Sequence, residues 1–167
     1  MDTVDLKKLV SSSRNGFAHG VALAGETLTV VAWTVPGRRR MPELVFSRSD
    51  ATYLVLEGTA HVLMAGEPCP LQTGQLLSLP RGVAHQVLNP DDPNARVLLI
   101  RAPGRARVED LGIGRVECPL CACVTPVEKG DRPGDRFVCN DCTCVIRLED
   151  KDGRLHPADL ELDSLGA

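Results

Sequence analysis

The stretch that decides the fold of this chain is Gly74-Gln75-Leu76-Leu77-Ser78-Leu79-Pro80-Arg81-Gly82-Val83-Ala84-His85-Gln86-Val87-Leu88-Asn89. It reads as a short apolar strand from Leu76 to Leu79, a tight turn at Pro80-Arg81-Gly82, and a second strand. Glycine supplies the backbone freedom that tight turns need, and proline fixes φ. This pattern predicts that His85, at the start of the second strand, points into the space between strands.

Similar short β-rich runs flank this stretch on both sides. We predict strands over residues 28–35, 43–47, 53–56, 60–64, 76–79, 86–88 and 96–100, separated by Gly, Pro, Asn and Asp. Repeated short strands at roughly 8–12-residue spacing are typical of a sandwich or barrel. The composition agrees, since 15 Gly, 12 Pro and only 3% aromatic residues indicate many turns around a core of Val, Leu and Ala. Residues 4–10 are expected to form one or two helical turns.

The quoted stretch resembles the second cupin motif, G-x5-P-x-G-x2-H-x3-N, with every fixed position filled. The preceding run Tyr53-Leu54-Val55-Leu56-Glu57-Gly58 resembles the end of the first cupin motif. The resemblance covers about residues 25–102 and implies an all-β fold, the double-stranded β-helix of the cupin β-barrel.

In cupins the motif histidine binds a metal together with a His-x-His pair and a Glu from the first motif. Counting back from Gly58 places the Glu position on Ala51, and the pair on Val45 and Ser47 or, with the longer spacer, on Leu44 and Phe46. His85 alone cannot hold a divalent ion, so we predict a barrel without the cupin metal. An alternative set is Glu43, Asp50 and His85. It requires a β-bulge to turn Asp50 inward, because strand alternation assigns residues 43, 45, 47, 49, 51 and 53 to the inner face.

The second strong signal is a pair of C-x-x-C motifs, Cys118-Pro119-Leu120-Cys121 and Cys139-Asn140-Asp141-Cys142. Two such knuckles facing each other supply the four thiolates of a tetrahedral Zn2+ site, and this spacing is typical of a zinc ribbon. We predict a structural Zn2+ on Cys118, Cys121, Cys139 and Cys142, with iron as the alternative metal in the same site. A further cysteine follows each pair, Cys123 and Cys144; these are interpreted as spare thiols, alternative ligands or part of a binuclear cluster.

A cupin barrel followed by such a tail resembles, in architecture, the bacterial 3-hydroxyanthranilate 3,4-dioxygenases. That resemblance implies an Fe2+ held by His, Glu and His, and a separate rubredoxin-like site in the tail. In this chain the three iron positions fall on Val45, Ala51 and His85. The arginine that holds the substrate carboxylate falls on Asn89. One iron ligand of three is therefore retained, and the substrate clamp is replaced.

Length and charge bound the remaining possibilities. The 167 residues suffice for one barrel and a small appendage, which we divide into an N-terminal segment (1–22), a cupin barrel (23–103), a connector (104–115), a zinc ribbon (116–150) and an acidic tail (151–167). The net charge of −3 gives no electrostatic footprint for nucleic acid, and no apolar run is long enough for a membrane span. The first ten residues lack a signal-peptide pattern, so we expect a cytoplasmic protein with reduced thiols.

The sequence therefore predicts a small-molecule-binding barrel whose ligand contacts His85, Tyr53 and Ser47. The ligand itself is not identified, and the catalytic residues are unknown. Two alternatives remain open: a metal-dependent dioxygenase or isomerase that uses Glu43, Asp50 and His85, and a regulatory or assembly protein that binds partners through the ribbon. We also expect a homodimer formed through residues 20–35, because exposed sheet edges tend to pair.

Overall fold

The computed structural model describes residues 3–6, 8–9, 11–12, 16–25, 27–46, 48–103, 115–121, 123–126, 131–139, 142, 144–158 and 163–165. Every regular element among them is a strand, which confirms the all-β prediction. Of segment 4–10, Leu6, Lys8 and Leu9 lie in turns or bends and Val4 and Asp5 have no regular structure, so the helical turns expected there are wrong for the described part of the segment.

The strands of the described chain follow one another at short intervals. They are β1 (Ser11–Ser12), β2 (Ala18–Ala24), β3 (Thr29–Val35), β4 (Arg39–Arg40), β5 (Asp50–Glu57), β6 (Thr59–Met64), β7 (Glu67–Gln72), β8 (Leu76–Leu79), β9 (His85–Asn89), β10 (Ala95–Ala102), β11 (Arg115–Glu117), β12 (Val124–Pro126), β13 (Arg136–Val138), β14 (Val145–Lys151), β15 (Arg154–Pro157) and β16 (Asp163–Ser164).

Two antiparallel sheets build the barrel. One has the strand order β1-β2-β3-β10-β5-β8 and the other the order β16-β4-β9-β6-β7. Alternate residues of the central strands are buried, as the two-residue period of a strand with one covered face requires. The core between the sheets is apolar and includes Val31, Trp33, Val35, Tyr53, Val55, Val62, Val87, Val97 and Leu99.

In the stretch 74–89, the residues that stabilise the fold are mainly those of the turn and Asn89. Gly82 has φ +83°, and its N–H donates to the Phe46 carbonyl at 2.8 Å, which ties the turn to the segment before β5. Gly58 also has a positive φ, and a Cβ there would lie 3.3 Å from the backbone of Ala95. The buried Asn89 amide donates to the carbonyls of Val35 and Pro93, so this residue fastens a loop.

The segment before β5 differs from the expectation. Residues 43–46, the described part of the predicted strand 43–47, do not form a strand; among them Leu44 makes an isolated bridge, to His85. Leu44 and Phe46 are buried, whereas Glu43 is exposed and Val45 is half-buried. From Ser49 onward the inner face is as predicted, with Ser49, Ala51 and Tyr53 buried. The buried positions therefore change from even-numbered (Leu44 and Phe46) to odd-numbered (Ser49 and Ala51) along this segment.

The residues after the barrel pack back onto it. Strands β11 and β12 form one hairpin, β13, β14 and β15 form a small sheet, and β16 pairs with β4 at the edge of the second barrel sheet. Two strands thus lie within the segment predicted as an acidic tail. The cysteines between these strands belong to the same buried cluster as the barrel interior, so the barrel and the cysteine knuckles share one core.

Candidate functional site

Four cysteines form a compact group of ligating atoms. Cys118, Cys121, Cys139 and Cys142 are buried, and their Sγ atoms all lie within 4.8 Å of one another. The Sγ atoms of Cys118 and Cys142 are 3.6 Å apart, as are those of Cys121 and Cys139. A Zn–S bond of about 2.3 Å gives a tetrahedron with edges of roughly 3.8 Å. The four sulfurs can therefore hold one thiophilic metal ion.

The backbone of each knuckle sets up this arrangement. The Cys118 N–H donates to the Cys123 carbonyl at 2.8 Å, and the Cys139 N–H donates to the Cys144 carbonyl at 2.9 Å. None of the chain's seven cysteines forms a disulfide. Burial raises the pKa of the Cys118 and Cys121 thiols. The pKa of the Cys139 thiol is lowered instead, because its sulfur accepts hydrogen bonds from Cys118, Cys121, Cys123 and Cys142.

The barrel interior contains a hydrogen-bonded pair, Tyr53 and His85. The Tyr53 hydroxyl lies 2.6 Å from His85 Nε2, and His85 Nδ1 lies 2.8 Å from the Val83 carbonyl. A carbonyl only accepts, so Nδ1 carries the proton and Nε2 accepts from the Tyr53 hydroxyl. Burial lowers the pKa of His85, against smaller opposing effects of the Val83 hydrogen bond and the Glu43 charge. His85 is therefore a neutral imidazole at neutral pH.

The pKa of Tyr53 is raised well above its usual value, first by burial and then by charge on Cys142, with Arg101 opposing. The hydroxyl therefore stays protonated and donates. Two of the predicted ligand-binding residues, Tyr53 and His85, are thus brought together in the structure. The third, Ser47, lies outside the described residues.

The surroundings of this pair are aromatic and apolar. The Trp33 ring centroid lies 5.9 Å from that of Tyr53, and the Phe46 centroid lies 5.7 Å from that of His85. Trp33 is fully buried, and its indole Nε1 has no hydrogen-bond partner in the described part of the chain. An unpaired buried N–H costs free energy, so it marks a place for an acceptor atom.

Arg101 connects the barrel to the cysteine knuckles. Its guanidinium is buried, donates from Nε to the Ser49 hydroxyl at 3.1 Å, and donates from Nη1 to the Cys121 carbonyl at 2.9 Å. The guanidinium carbon also lies 4.8 Å from the centre of the Phe46 ring. A second link is the Val45 N–H, which donates to the Cys142 carbonyl at 3.2 Å. The cysteine group is thus held against the barrel beside Phe46.

The positions that bind metal in cupins carry apolar side chains. Leu44 and Phe46 occupy the longer-spacer pair, and Ala51 occupies the Glu position; all three are buried. Of the described residues at the cupin metal positions, only His85 carries a side chain that commonly binds a metal ion.

Among the described residues, the ligating atoms of Glu43, Asp50 and His85 do not come together in a group that could hold one ion. Asp50 is exposed and accepts the Arg81 N–H at 3.0 Å, which holds its carboxylate on the outer face of the turn. The bulge that would turn Asp50 inward is absent at this point, since Ala51 and Tyr53 keep the inner positions.

Arg101 was not predicted as a site residue, although the sequence carries a signal for it. Val97, Leu99 and Arg101 share the inner face of β10, so a charged residue there stands at a core position. A buried guanidinium requires hydrogen-bond partners. For Arg101 one of them is the backbone carbonyl of Cys121, twenty residues later in the chain.

Residues 19–101 match the sequence family described as Cupin domain. An uncharacterised conserved protein with a double-stranded beta-helix domain from Klebsiella pneumoniae has a similar structure, with a TM-score of 0.58 and 18% identity over 77% of this chain and 99% of that one. The protein TT1209 from Thermus thermophilus is 26% identical, with a TM-score of 0.57 over 62% of this chain and 98% of its own. KdgF from Halomonas is 18% identical, with a TM-score of 0.54 over 65% and 94%.

No curated protein sequence matches the chain. Within the described ranges, no helical segment has the length and apolarity needed to cross a membrane.

Proposed function

On the premise that residues 19–101 are a cupin domain, we propose that the barrel binds a small, partly apolar molecule that carries an acceptor oxygen. The molecule contacts Tyr53, His85 and Trp33, and the barrel works without the cupin catalytic metal. Cys118, Cys121, Cys139 and Cys142 hold a structural Zn2+ that braces the knuckles against the barrel.

The observation that carries this proposal is the Trp33 indole N–H. It is buried beside Tyr53 and has no acceptor among the described residues. Binding sites for small molecules are mostly apolar, with a few polar groups that fix the ligand's orientation. An oxygen atom of the ligand at Trp33 Nε1 would accept the hydrogen bond that this N–H otherwise lacks. The apolar part of the ligand would pack among Phe46, Tyr53 and Trp33.

The absence of cupin metal chemistry is supported by the donor set. Leu44, Phe46 and Ala51 cannot ligate, and removing three ligands of four leaves no binding site for a divalent ion. The dioxygenase alternative keeps only the resemblance in architecture. Asn89 stands where that family has the arginine that binds the substrate carboxylate. Its side-chain amide donates hydrogen bonds to the carbonyls of Val35 and Pro93.

Two properties of the cysteine site favour zinc: all four ligating atoms are sulfur, and the distances between them are close to the edges of a Zn–S tetrahedron. Thiolates select thiophilic ions, and a closed tetrahedral S4 set is typical of structural Zn2+, with iron as the alternative. Buried reduced thiols also favour a reducing compartment, and we place the protein in the cytoplasm on that ground.

A second candidate function, assembly with another protein through the ribbon, is favoured by one surface feature. Val138 on β13 and Val145 on β14 are cross-strand partners, and they are 55% and 54% exposed. These two neighbouring valines lie beside Arg136 and Arg147 on the exposed face of the small sheet and form an apolar contact point there. The pair covers little area, so we rank assembly below ligand binding.

Fluorescence of Trp33, the only tryptophan, tests the main proposal. Titration with benzoate, anthranilate and 3-hydroxyanthranilate should change Trp33 emission saturably for at least one of them. Replacing His85→Ala should weaken that binding at least several-fold, whereas His61→Ala, the same change at a half-buried position in β6, should leave it unchanged. Equal affinity in the His85 variant and the wild type would contradict the proposed location.

A further inference from the structure

Two additional cysteines lie in the cysteine group. Cys123 and Cys144 each follow the second cysteine of a C-x-x-C pair by two residues, and both are buried. The knuckle hydrogen bonds between Cys118 and Cys123, and between Cys139 and Cys144, fold each third cysteine back toward the first. All six cysteines of the tail belong to one buried cluster.

The two additional sulfurs occupy equivalent positions. Cys144 Sγ lies 3.5 Å from Cys118 Sγ and 3.1 Å from Cys142 Sγ, and these two are themselves 3.6 Å apart. The Cys123 thiol raises the pKa of Cys121 and lowers the pKa of Cys139, so it lies beside these two residues, whose sulfurs are also 3.6 Å apart. Each additional sulfur thus caps one edge of the tetrahedron. The two capped edges share no sulfur, so they are opposite each other.

This arrangement divides the cysteines into two triads of the same make-up. Each triad takes the first cysteine of one motif and the second and third cysteines of the other. One triad is Cys118, Cys142 and Cys144, and the second is Cys139, Cys121 and Cys123. The Sγ atoms of Cys118 and Cys139, one from each triad, lie within 4.8 Å of each other. Packing of spare apolar thiols explains burial, but it does not require two matched triads.

We propose that the six cysteines form one thiolate cluster that binds two thiophilic d10 metal ions, with Cys118 and Cys139 as bridging ligands. One ion is held by the bridges with Cys142 and Cys144, and the other by the bridges with Cys121 and Cys123. The inference rests on the metal site proposed above, of which the four-cysteine tetrahedron is the one-ion form. Filling the second position separates the sulfurs of Cys121 and Cys142, which then bind different ions.

The second ion adds no net charge to the buried cluster. It replaces two thiol protons, one each from Cys123 and Cys144, so six thiolates with two divalent ions carry the same charge as four thiolates with one. Ligands must lose their protons when a metal binds, and the protons leave to solvent. The neighbouring Arg101 guanidinium, which hydrogen-bonds to the Cys121 carbonyl, offsets the negative charge in either form.

Native mass spectrometry with elemental analysis on the full chain tests the inference. We expect two Zn2+ per wild-type chain, one per chain in Cys123→Ser and in Cys144→Ser, and none firmly held in Cys118→Ser. Cys69→Ser makes the same change outside the cluster, on edge strand β7, and should keep two ions.

One ion per wild-type chain that survives in both Cys123→Ser and Cys144→Ser would overturn the two-ion cluster and leave the four-cysteine site standing. A chain that binds no ion would remove both. If the serine variants do not fold, anaerobic Co2+ titration of the wild type decides: sulfur-to-cobalt absorption should rise to two equivalents, and saturation at one refutes the inference.

Discussion

Replacement of Tyr53 by Phe isolates the hydrogen bond at the centre of the barrel. The phenyl ring is kept, so no large cavity forms, and only the hydroxyl that donates to His85 Nε2 is lost. Tyr53 is fully buried and His85 is 2% exposed, so solvent does not reach the abandoned imidazole nitrogen. The variant therefore carries a buried acceptor without a donor.

The size of the effect follows from that orphaned nitrogen. A buried polar group left unpaired costs about 1–3 kcal/mol, more than the net gain of a typical hydrogen bond. In a chain of this size each kcal/mol lowers the melting temperature by roughly 2–4 °C, which gives a decrease of roughly 2–12 °C. Thr52→Val is the matched control, because it removes a hydroxyl from the same strand that bonds Ser78 on the exposed face. It should cost at most about 0.5 kcal/mol.

Urea denaturation measures the free energies of unfolding, provided that all variants show the same dependence of that free energy on urea concentration. A double-mutant cycle then isolates the interaction between Tyr53 and His85. Adding His85→Leu to Tyr53→Phe removes the orphaned acceptor, so the double variant should be more stable than the sum of the single effects predicts by about 0.5–3 kcal/mol. Strict additivity, or a Tyr53→Phe variant as stable as the wild type, would refute the buried-pair argument.

The remaining predictions concern the metal, pH and association. Anaerobic Fe2+ uptake should be the same in wild type and His85→Ala, because Leu44 and Phe46 replace cupin ligands. If the wild type binds Fe2+ and His85→Ala does not, the barrel does contain a metal site and this prediction is wrong. Cys118→Ser should release metal and increase acrylamide quenching of Trp33, because the knuckles are hydrogen-bonded to the barrel and loosening them would expose its interior. Unchanged quenching would show that the knuckles do not shield Trp33 from solvent. The folded-state pKa of His85 is lowered, so its share of stability is fully present above the unfolded-state pKa of about 6.5 and is lost as the pH falls from there through the lower folded-state pKa; a urea midpoint that falls equally in His85→Leu would exclude this cause. Light scattering at micromolar concentration should give twice the 18.0 kDa chain mass, because Leu23 is exposed on β2 near a sheet edge; a monomer would contradict this.

The sequence predicted those parts of the fold that local chemistry determines. Gly58 and Gly82 adopt the positive φ that their motif positions require, and the strand before Pro80 has the predicted bounds Leu76–Leu79. Strand β7 was not among the predicted strands, because it contains Pro68 and Pro70. It lies at the sheet edge, where a missing N–H breaks no ladder bond.

The candidate site was predictable only where its residues are close in sequence. The C-x-x-C spacing indicates four clustered sulfurs because each pair sits on one knuckle. The phase change between Phe46 and Ser49 was not predictable, since a regular strand was assumed there. Contacts between the Cys121 carbonyl and Arg101, or between Trp33 and Tyr53, depend on long-range packing, which no local pattern encodes.

Arg101 also determines how the chain can be divided. It stands two residues before the end of the barrel segment, yet one of its hydrogen-bond partners is the Cys121 carbonyl in the tail. Depriving a buried charge of a partner costs about 3–5 kcal/mol, a large part of the roughly 5–15 kcal/mol that holds a domain together. A chain shortened at residue 103 would therefore contain every barrel strand of the first sheet and still lack full stability. During synthesis, too, the barrel reaches its final stability only after residue 121 has left the ribosome, so barrel and knuckles mature as a single cooperative unit.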